Sequence, residues 1–372
     1  MIRRTIIYFL IIFFAYSSSI YAMGETPPHK YIPIRVLVVK DAKKIDIRIK
    51  GSYRFVGLKT GETLEEGESL KRLTISVKDI DSEGMKILTG KKSKIYINKR
   101  QFRGEIDIVK RDLSLLVINR IDLEEYLYGV LYHEVSHRWP IEVLKAQAVA
   151  ARTYALYQKL VTKNKYYDLS SDIYSQVYGG RFSETRRTRK AVDLTIGMVL
   201  TQGDKVFPSY YHATCGGKTS DVETLWNIDV PALRGRKCGF CDFSPHYIWK
   251  RELTINEVDK SLKGVGHDIQ LTSIEVLNRD DSGRILNLLL KGKKKNIELS
   301  GNKFRLAVGP NIVRSANFDV QIKGNIISFQ GKGWGHGIGM CQWGAYGMAR
   351  EGWKAEDILE HYYPGASLTR VE

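Results

Sequence analysis

Glu134 is an acidic residue that stands where two helical patterns meet, a position suited to proton transfer. Apolar residues recur at helical spacing on both sides of it, at Leu123, Leu127, Val130 and Leu131 and then at Leu144, Ala148, Ala151 and Ala155. Pro140 stands where the second helix would begin, since proline is tolerated in a first helical turn. We expect a carboxyl at this junction, partly shielded by Tyr132 and Trp139, to have a raised pKa and to act as a general acid or base.

The residues around Glu134 also match H-E-x-x-H, the pattern of zinc proteases, with its histidines at His133 and His137. That pattern needs both histidines on one helical face and a third ligand downstream. Pro140 ends the helical pattern soon after His137, no H-x-x-G-x-x-H extension follows, and Glu142 lies too close to be the usual third ligand. A pentapeptide with two open positions also matches easily by chance, so a zinc metalloprotease is the third interpretation rather than the first.

A metal site is indicated further along the chain by two short pairs, His212-x-x-Cys215 and Cys238-x-x-Cys241. Each pair can form a tight turn that offers two ligands, and two such turns joined by a longer loop are what a tetrahedral zinc site needs. We expect a structural zinc, with no open coordination position, held by His212, Cys215, Cys238 and Cys241. Two alternatives stay open: Cys341 could replace His212 to give four thiolates, or the cysteines of an exported protein could form disulfides.

Four further residues are candidate substrate contacts. Lys145 and Arg152 lie seven residues apart on the second predicted helix, and so on roughly one face, where a cation could contact a carboxylate or a sugar hydroxyl. A solvated helix surface would give the same pattern. The glycines of residues 333–339 could allow close backbone approach to a ligand, or form a tight turn under a helix. We assign His336 within this segment and Gln342 after it to substrate binding, with a structural hydrogen bond as the alternative for His336.

The N-terminal residues are typical of a secretory signal peptide, which we assign to residues 1–22. Arg3 and Arg4 precede an apolar run from Ile6 to Ala15, and the small residue Ala22 stands at a suitable cleavage point. The run is short for a membrane span and no cysteine follows it, so we expect no lipid anchor and no stable membrane anchor after cleavage. The sequence thus predicts an exported protein of the periplasm or cell envelope.

Composition narrows the partners of such a protein. The 372 residues carry 58 Lys and Arg against 41 Asp and Glu, a net charge of +17 at pH 7. A positive surplus favours nucleic acid, an anionic membrane or an acidic polymer as partner, although solvated surface would account for any one basic cluster. Because exported proteins rarely meet nucleic acid, we expect no nucleic-acid partner and favour an anionic wall polymer or the carboxylate-bearing peptidoglycan.

The apolar pattern predicts an α+β fold. Residues 23–110 form a β-rich N-terminal part, in which short alternating strands are separated by turns at Gly51, Gly61 and Gly90. Residues 111–372 form the catalytic part, with the central helical pair that carries the active site, a mixed β region and a C-terminal helix. No internal repeat or low-complexity linker divides the chain.

A family resemblance is carried by four motifs: LEEYLYGVLYHE, WPIEVLKAQAVAARTYAL, HATCGGKTS and GKGWGHGIGMCQWGAYGMA. In this order they resemble the stage II sporulation protein D family, which includes the amidase-enhancer domains of cell-wall enzymes. The resemblance implies that the catalytic glutamate is Glu134 and that Lys145 and Arg152 matter for activity. Zinc occurs in some members of the family, which favours zinc over disulfides at the cysteines. The chain departs from the family pattern at His133 and Ser136, where a small apolar residue or proline is usual.

The activity that this resemblance implies is peptidoglycan lytic transglycosylation. Such a lyase cleaves glycan strands between N-acetylmuramic acid and N-acetylglucosamine and leaves a 1,6-anhydro ring. One carboxyl suffices, because no water is activated: Glu134 would protonate the leaving oxygen and then take the proton of the muramoyl C6 hydroxyl, although Glu142 could share this work. The alternative is a non-catalytic wall-binding module that stimulates a cell-wall amidase, which would then be a partner.

Overall fold

The computed structural model describes residues 30–80, 83–172 and 175–371, so the predicted signal peptide at residues 1–22 lies outside the described residues. A nine-stranded, largely antiparallel sheet comes first. Its strands are β1 (Pro33–Ala42), β2 (Lys44–Gly57), β3 (Thr63–Ser76), β4 (Gly84–Thr89), β5 (Lys94–Ile97), β6 (Arg100–Phe102), β7 (Glu105–Arg111), β8 (Ser114–Asp122) and β9 (Leu169–Ser170). The sheet thus continues past residue 110, where the sequence placed the end of the β-rich part.

The order of these strands is β6-β5-β2-β4-β7-β8-β1-β9, with β3 paired to β2, and β9 runs parallel to β1. The strands form where apolar and polar residues alternate along the chain, as in β2. Ile45, Ile47 and Ile49 are buried on the core side, while the residues between them remain partly or fully exposed. The α+β class predicted from the sequence is confirmed. The strands are longer than the short ones expected, since β2 and β3 have 14 residues each, and Gly51 lies within β2 rather than at a turn.

The sheet leads directly into the helical pair. Helix α1 (Leu123–Glu134) begins after Asp122, whose carboxylate accepts a hydrogen bond from the Glu124 N–H at 3.0 Å and caps the helix. It ends at Glu134, since Val135 takes extended backbone angles (φ −138°, ψ 153°). Helix α2 (Ile141–Val161) follows Pro140, which is the residue before the helix rather than its first residue.

Helix α2 packs against two hydrophobic cores at once. The face that the sequence predicted, formed by Leu144, Ala148, Ala151 and Ala155, joins the core under the N-terminal sheet. A second face joins a core built mainly from the C-terminal half, through Val143, Ala146, Val149 and Ala150. A helix that is apolar on most sides is typical of a buried central position.

The chain continues after α2 through short elements. They are α3 (Arg186–Leu194), β10 (Met198–Gln202), β11 (Lys205–Val206), β12 (Tyr211–His212) and α4 (Val222–Trp226), with 3₁₀ turns at Gly180–Ser183 and Pro231–Leu233. An earlier 3₁₀ turn, Val77–Asp79, lies between β3 and β4. The last elements are β19 (Met340–Cys341), α7 (Gln342–Arg350), α8 (Ala355–Tyr362) and β20 (Ser367–Arg370). Strand β19 returns to pair in parallel with β12, with Met340 opposite Tyr211 and Cys341 opposite His212.

Residues 248–332, which we call the insert, separate β12 from β19 and have a hydrophobic core of their own. The insert contains β13 (Ile248–Thr254), α5 (Ile255–Gly264), β14 (Leu271–Arg279), β15 (Ile285–Gly292), β16 (Ile297–Ser300), α6 (Gly301–Val308), β17 (Phe318–Lys323) and β18 (Ile326–Lys332). Two three-stranded sheets, β13-β18-β17 and β14-β15-β16, enclose Phe304, Phe318 and Phe329. Within the described residues, no helix is long and apolar enough to cross a membrane.

Candidate active site

A cavity of about 410 Å³ opens where the helical pair, the β12–β19 pair and the insert meet. Rings form much of its wall, from Tyr154, Tyr210, Tyr211, Trp226, Trp334 and His336. Its polar groups include Arg305, Asn311 and Gln342. Of the described residues that line it, Glu134 is the only one with a carboxylate. An aromatic cavity of this size with few polar groups is typical of a small-ligand site.

Glu134 reaches this cavity from the last position of α1. Its Oε1 accepts a hydrogen bond from the backbone N–H of Val177 at 3.2 Å. Burial raises the pKa of Glu134 from 4.5 to about 7, and the Val177 hydrogen bond lowers it by less. No Lys or Arg in the described part of the chain forms a salt bridge with this carboxylate, so no cation holds it ionised. The group is therefore poised to give and to accept a proton near neutral pH.

Three tyrosines, rather than Tyr132 and Trp139, shield Glu134. Burial and, after it, the nearby charge of Glu134 raise the pKa of Tyr126 and Tyr211 well above 10, and the same charge adds to the raised pKa of Tyr154. The predicted shields lie elsewhere. Tyr132 is exposed and stacks on His137, whereas the ring of Trp139 stacks on Tyr346 at 4.8 Å between centroids.

The short connection between α1 and α2 is fixed by Arg187 of α3. Its Nε donates a hydrogen bond to the carbonyl of His137 at 2.9 Å, and its Nη2 donates one to the carbonyl of Trp139 at 2.7 Å. Because these carbonyls follow the end of α1, the clamp helps to hold Glu134 at the helix end.

The two histidines beside Glu134 do not form a metal site. Because α1 ends at Glu134, His137 is not on the same helical face as His133. His133 Nε2 instead lies 2.6 Å from the hydroxyl of Ser183, and the ring of His137 stacks on Tyr132 with 5.5 Å between centroids. The zinc-protease interpretation of this stretch is therefore wrong.

Arg152 is a structural residue and not a substrate contact. It is completely buried and forms a bidentate ion pair with Glu124 of α1, with distances of 2.8 Å from Nε and 2.6 Å from Nη2. A third hydrogen bond joins its Nη1 to the carbonyl of Met198 at 3.0 Å. The predicted contact fails because the helix face that carries Arg152 turns toward α1 rather than toward the cavity.

Lys145 likewise lies outside the cavity wall. Its Nζ is 2.9 Å from the carboxylate of Glu142, which also accepts a hydrogen bond from the N–H of Ala355 at 2.9 Å. Partial burial opposes the ionisation of Glu142, but these two hydrogen bonds outweigh it and lower its pKa. Glu142 is thus a structural carboxylate and not a second acid or base at the cavity.

His336 and Gln342 do line the cavity, as their assignment to substrate binding requires. Burial lowers the pKa of His336 to about 3, so its ring is neutral. Its Nε2 donates to the carbonyl of Tyr211 at 3.0 Å, and its Nδ1 accepts from the N–H of Ile338 at 3.1 Å, which also gives it a structural role. The amide of Gln342 donates to Gln147 on α2 at 3.2 Å.

The glycines around His336 serve close packing within the protein. A Cβ at Gly337 would lie 2.2 Å from the guanidinium carbon of Arg284, and one at Gly339 would lie 1.9 Å from the carbonyl oxygen of Tyr210. Both residues have positive φ, of 92° and 70°. Gly335 also lines the cavity.

The insert contributes a cation that the sequence did not single out. Arg305, on α6, is buried, its Nε donates to the carbonyl of Arg314 at 3.0 Å, and its Nη1 lies 3.5 Å from the side chain of Asn302. No described carboxylate pairs with it, and its Nη2 has no hydrogen-bond partner in the described chain. Burial lowers its pKa to about 10, which leaves it positive at neutral pH. Nothing in the local sequence distinguishes this arginine, because only the fold brings α6 to the cavity.

Four buried cysteines form one cluster beside the cavity. The Sγ atoms of Cys215, Cys238, Cys241 and Cys341 all lie within 4.8 Å of one another, and all four thiols are free. His212 is not a member of the cluster, since its Nδ1 is bonded to the carbonyl of Ile338 at 3.1 Å and its ring lines the cavity. The four-cysteine alternative therefore describes the arrangement, and the set that included His212 does not.

The surroundings of the cluster suit a metal thiolate. Tetrahedral zinc with four sulfur ligands at about 2.3 Å would place the sulfurs roughly 3.8 Å apart, which this cluster can match with small adjustments. Backbone N–H groups point at two of the sulfurs: those of Cys215 and Gly344 lie 3.2 and 3.3 Å from Cys341, and that of Gly217 lies 3.4 Å from Cys215. Such donors stabilise thiolates around a metal.

Comparison of the sequence with known proteins shows the family to which this chain belongs. A model of the stage II sporulation protein family matches residues 111–202, and a model of a domain of unknown function matches residues 238–339. An uncharacterised protein of Brachyspira hyodysenteriae is 34% identical over 348 residues, which cover 90% of this chain and 92% of that protein. Stage II sporulation protein D of Bacillus amyloliquefaciens is 30% identical over 273 residues, or 68% and 76% of the two chains.

The chain therefore belongs to the stage II sporulation protein D family, as the motifs of its sequence predicted. It is also similar to the amidase enhancer of Bacillus subtilis, at 28% identity over 292 residues. That match covers 65% of this chain and 40% of the enhancer.

Proposed function

We propose that the protein is a peptidoglycan lytic transglycosylase in which Glu134 is the single general acid and base. One observation carries the proposal: a lone carboxyl with a pKa of about 7 faces an aromatic cavity in which no other described residue offers a carboxylate. Hydrolases of glycosidic bonds commonly need a second carboxylate, to activate water or to attack the sugar. A reaction in which the sugar's own hydroxyl is the nucleophile needs only a single carboxyl group.

The reaction proceeds by two proton transfers through one side chain. Protonated Glu134 donates its proton to the glycosidic oxygen as the bond from this oxygen to C1 of the muramoyl residue breaks. The C6 hydroxyl of the same residue then forms a bond to C1, and the Glu134 carboxylate takes the hydroxyl proton. The N–H of Val177 stabilises the carboxylate between the two steps. The products are a 1,6-anhydro end and a free hydroxyl on the departing sugar.

The remaining cavity groups account for substrate binding. Rings such as Tyr211 and Trp334 present flat apolar faces to the C–H faces of pyranoses. Arg305 is the cation placed to meet a carboxylate of the wall glycan, the role that the sequence gave to Lys145 and Arg152. Wall glycan is outside the cytoplasm, so the proposal also includes export through residues 1–22 to the periplasm or cell envelope.

We further infer that the four cysteines hold a structural zinc ion. Cys341 also caps α7, because its Sγ accepts the N–H of Gly344, and α7 begins at Gln342 of the cavity wall. A metal held by Cys215, Cys238, Cys241 and Cys341 would cross-link this helix start to two loops and would have no open position for catalysis.

The test is digestion of purified peptidoglycan followed by mass analysis of the sugar ends. Wild-type protein should release fragments with anhydro ends, and Glu134→Gln should release none while keeping its circular dichroism spectrum. Glu142→Gln is the matched control, since this helical glutamate does not line the cavity, and it should stay active. Reducing ends in place of anhydro ends would overturn the proposal.

The relative named amidase enhancer supports a second candidate, a wall-binding module that stimulates an amidase. This candidate predicts that the protein sediments with peptidoglycan, releases no fragments and binds equally well after Glu134→Gln. It also predicts faster peptide release by an added cell-wall amidase, which the transglycosylase proposal does not require.

A further inference from the structure

A cluster of aromatic rings lies on the surface next to the cavity. We call Trp139, Phe243, Trp343 and Tyr346 the aromatic platform. Its ring centroids are closely spaced: Trp343 lies 5.7 Å from Phe243, 5.7 Å from Tyr346 and 5.1 Å from Trp139. Phe243 is 42% exposed, and the other three rings are half-buried. A group of partly exposed rings beside a cavity is a feature typical of a binding surface.

The platform is continuous with the wall of the cavity. Trp334 lines the cavity, the ring of His246 lies 4.6 Å from it, and Trp343 lies 6.2 Å from His246. Trp343 also directly follows Gln342, a cavity residue. Its backbone N–H donates a hydrogen bond to the carbonyl of Ala213, another cavity residue, at 3.0 Å. A chain-like ligand that leaves the cavity past Trp334 therefore reaches the platform without crossing other parts of the surface.

Arginines accompany the rings. The guanidinium of Arg350 lies 5.5 Å from the ring centre of Phe243 and 5.9 Å from that of Tyr346. The guanidinium of Arg314 lies 5.0 Å from the ring centre of Trp334. Among the described residues neither arginine forms a salt bridge. The positive charge of each is therefore available to a ligand that carries hydroxyl or carboxylate oxygens.

Burial in a core does not explain Phe243. Trp139, Trp343 and Tyr346 each pack against a hydrophobic core. Phe243 belongs to neither core and contacts the rings of Trp343 and Tyr346. An exposed phenylalanine under an arginine adds no buried core surface, whereas it presents a flat apolar face to a ligand.

We propose that the aromatic platform binds the part of the glycan strand that extends beyond the cavity. This inference rests on the proposed function, because it takes the same strand as the ligand of both regions. A cavity of about 410 Å³ is of a size for a small ligand, so most of a polymer must lie outside it. The C–H face of a pyranose stacks on an aromatic ring, and its hydroxyls accept hydrogen bonds from arginine. The platform thus makes affinity depend on strand length.

The experiment measures binding of N-acetylglucosamine oligomers of different lengths to the Glu134→Gln protein, in which cleavage cannot interfere. Adding Phe243→Ala should weaken the binding of long oligomers about three- to tenfold, the loss expected for one aromatic contact. It should leave the binding of the disaccharide unchanged. Phe243→Tyr, which keeps a stacking ring, should retain the affinity for long oligomers.

Phe182→Ala is the matched control, because Phe182 is 68% exposed and its ring contacts Tyr96 rather than the platform. It should bind every oligomer normally. Unchanged affinity of Phe243→Ala for long oligomers, or an equal loss for the disaccharide, would overturn the proposal. Length-dependent binding through Phe243 in a protein that forms no anhydro ends would support the platform and overturn the proposed reaction instead.

Discussion

The backbone N–H of Val177 lies 3.2 Å from Oε1 of Glu134, at the only described carboxylate of the cavity. This hydrogen bond favours the ionised form of Glu134, while burial disfavours it, and burial has the larger effect. The result is a pKa of about 7 instead of 4.5. A carboxyl balanced in this way can change its protonation state twice in one turnover at neutral pH.

The pH dependence of catalysis should follow this pKa. The first step needs protonated Glu134, whose population is full below the pKa and falls as pH rises through about 7. We therefore expect kcat/KM for the formation of anhydro ends to decline above neutrality by about tenfold per pH unit. Initial rates over a pH series test this, with Glu142→Gln as a control that should give the same profile. A decline of the rate that begins near pH 4.5 would show that the pKa of Glu134 is not raised.

Loss of Arg152 should act through stability. Arg152→Ala leaves the buried carboxylate of Glu124 without its cation, and breaking a buried pair in this way costs about 3–5 kcal/mol of unfolding free energy. Urea denaturation measures the loss. Lys145→Ala on the same helix should cost less, about 1 kcal/mol, because its pair with Glu142 keeps some contact with solvent and Glu142 retains the N–H of Ala355 as a donor. A stable Arg152→Ala protein with a raised KM would restore the substrate contact that the sequence predicted.

Arg305→Gln should weaken substrate binding selectively. The substitution removes the unpaired cation of the cavity, and a hydrogen bond to a charged group contributes about 1.5–3 kcal/mol. We expect KM for carboxylate-bearing glycan to rise by roughly tenfold or more, with little change in the binding of neutral N-acetylglucosamine oligomers. Arg279→Gln is the control in the insert, since Arg279 pairs with Asp319 at 2.9 Å and lies outside the cavity wall. Equal losses for charged and neutral ligands would argue against the assigned role.

Metal content distinguishes the two possible ligand sets. Cys341→Ser should lower the zinc content of the purified protein and its melting temperature, because one of four clustered thiols is lost. His212→Ala should retain the zinc. Elemental mass spectrometry measures both variants. Retention by Cys341→Ser and loss by His212→Ala would instead support the set that was predicted from the pair of short motifs.

Local sequence patterns predicted those features that depend on neighbours along the chain. The spacing around Glu134 predicted that it lies near the junction of two helices, and it does. Helix α1 ends at Glu134 itself, earlier than the end after His137 that Pro140 indicated. Alternation of apolar and polar residues predicted that the N-terminal part consists of strands. The family resemblance is confirmed by the relatives, whereas the transglycosylase activity and the zinc ion remain proposals.

Features that depend on distant contacts were not predictable in the same way. The sequence predicted one buried face of α2, but a second face also packs against a core. With both faces buried, Arg152 points toward α1 and pairs with Glu124. Arg305 reaches the cavity because the insert, which lies between β12 and β19 along the chain, contributes to the cavity wall, and no local pattern records this. Cys341 joins the other thiols since β19 pairs with β12, although it is 100 residues beyond Cys241 in the printed sequence.

The sharing of α2 between two cores has a consequence for the motion of the site. Neither core can open without disturbing the other through this helix, so partial unfolding there becomes nearly as costly as complete unfolding. The amides of α2 should accordingly be among the slowest of the chain to exchange with solvent. Glu134 is joined to α2 by the short connection that Arg187 clamps. This attachment restricts the motion of its carboxyl and so keeps the proton at a fixed distance from the glycosidic bond that it must protonate.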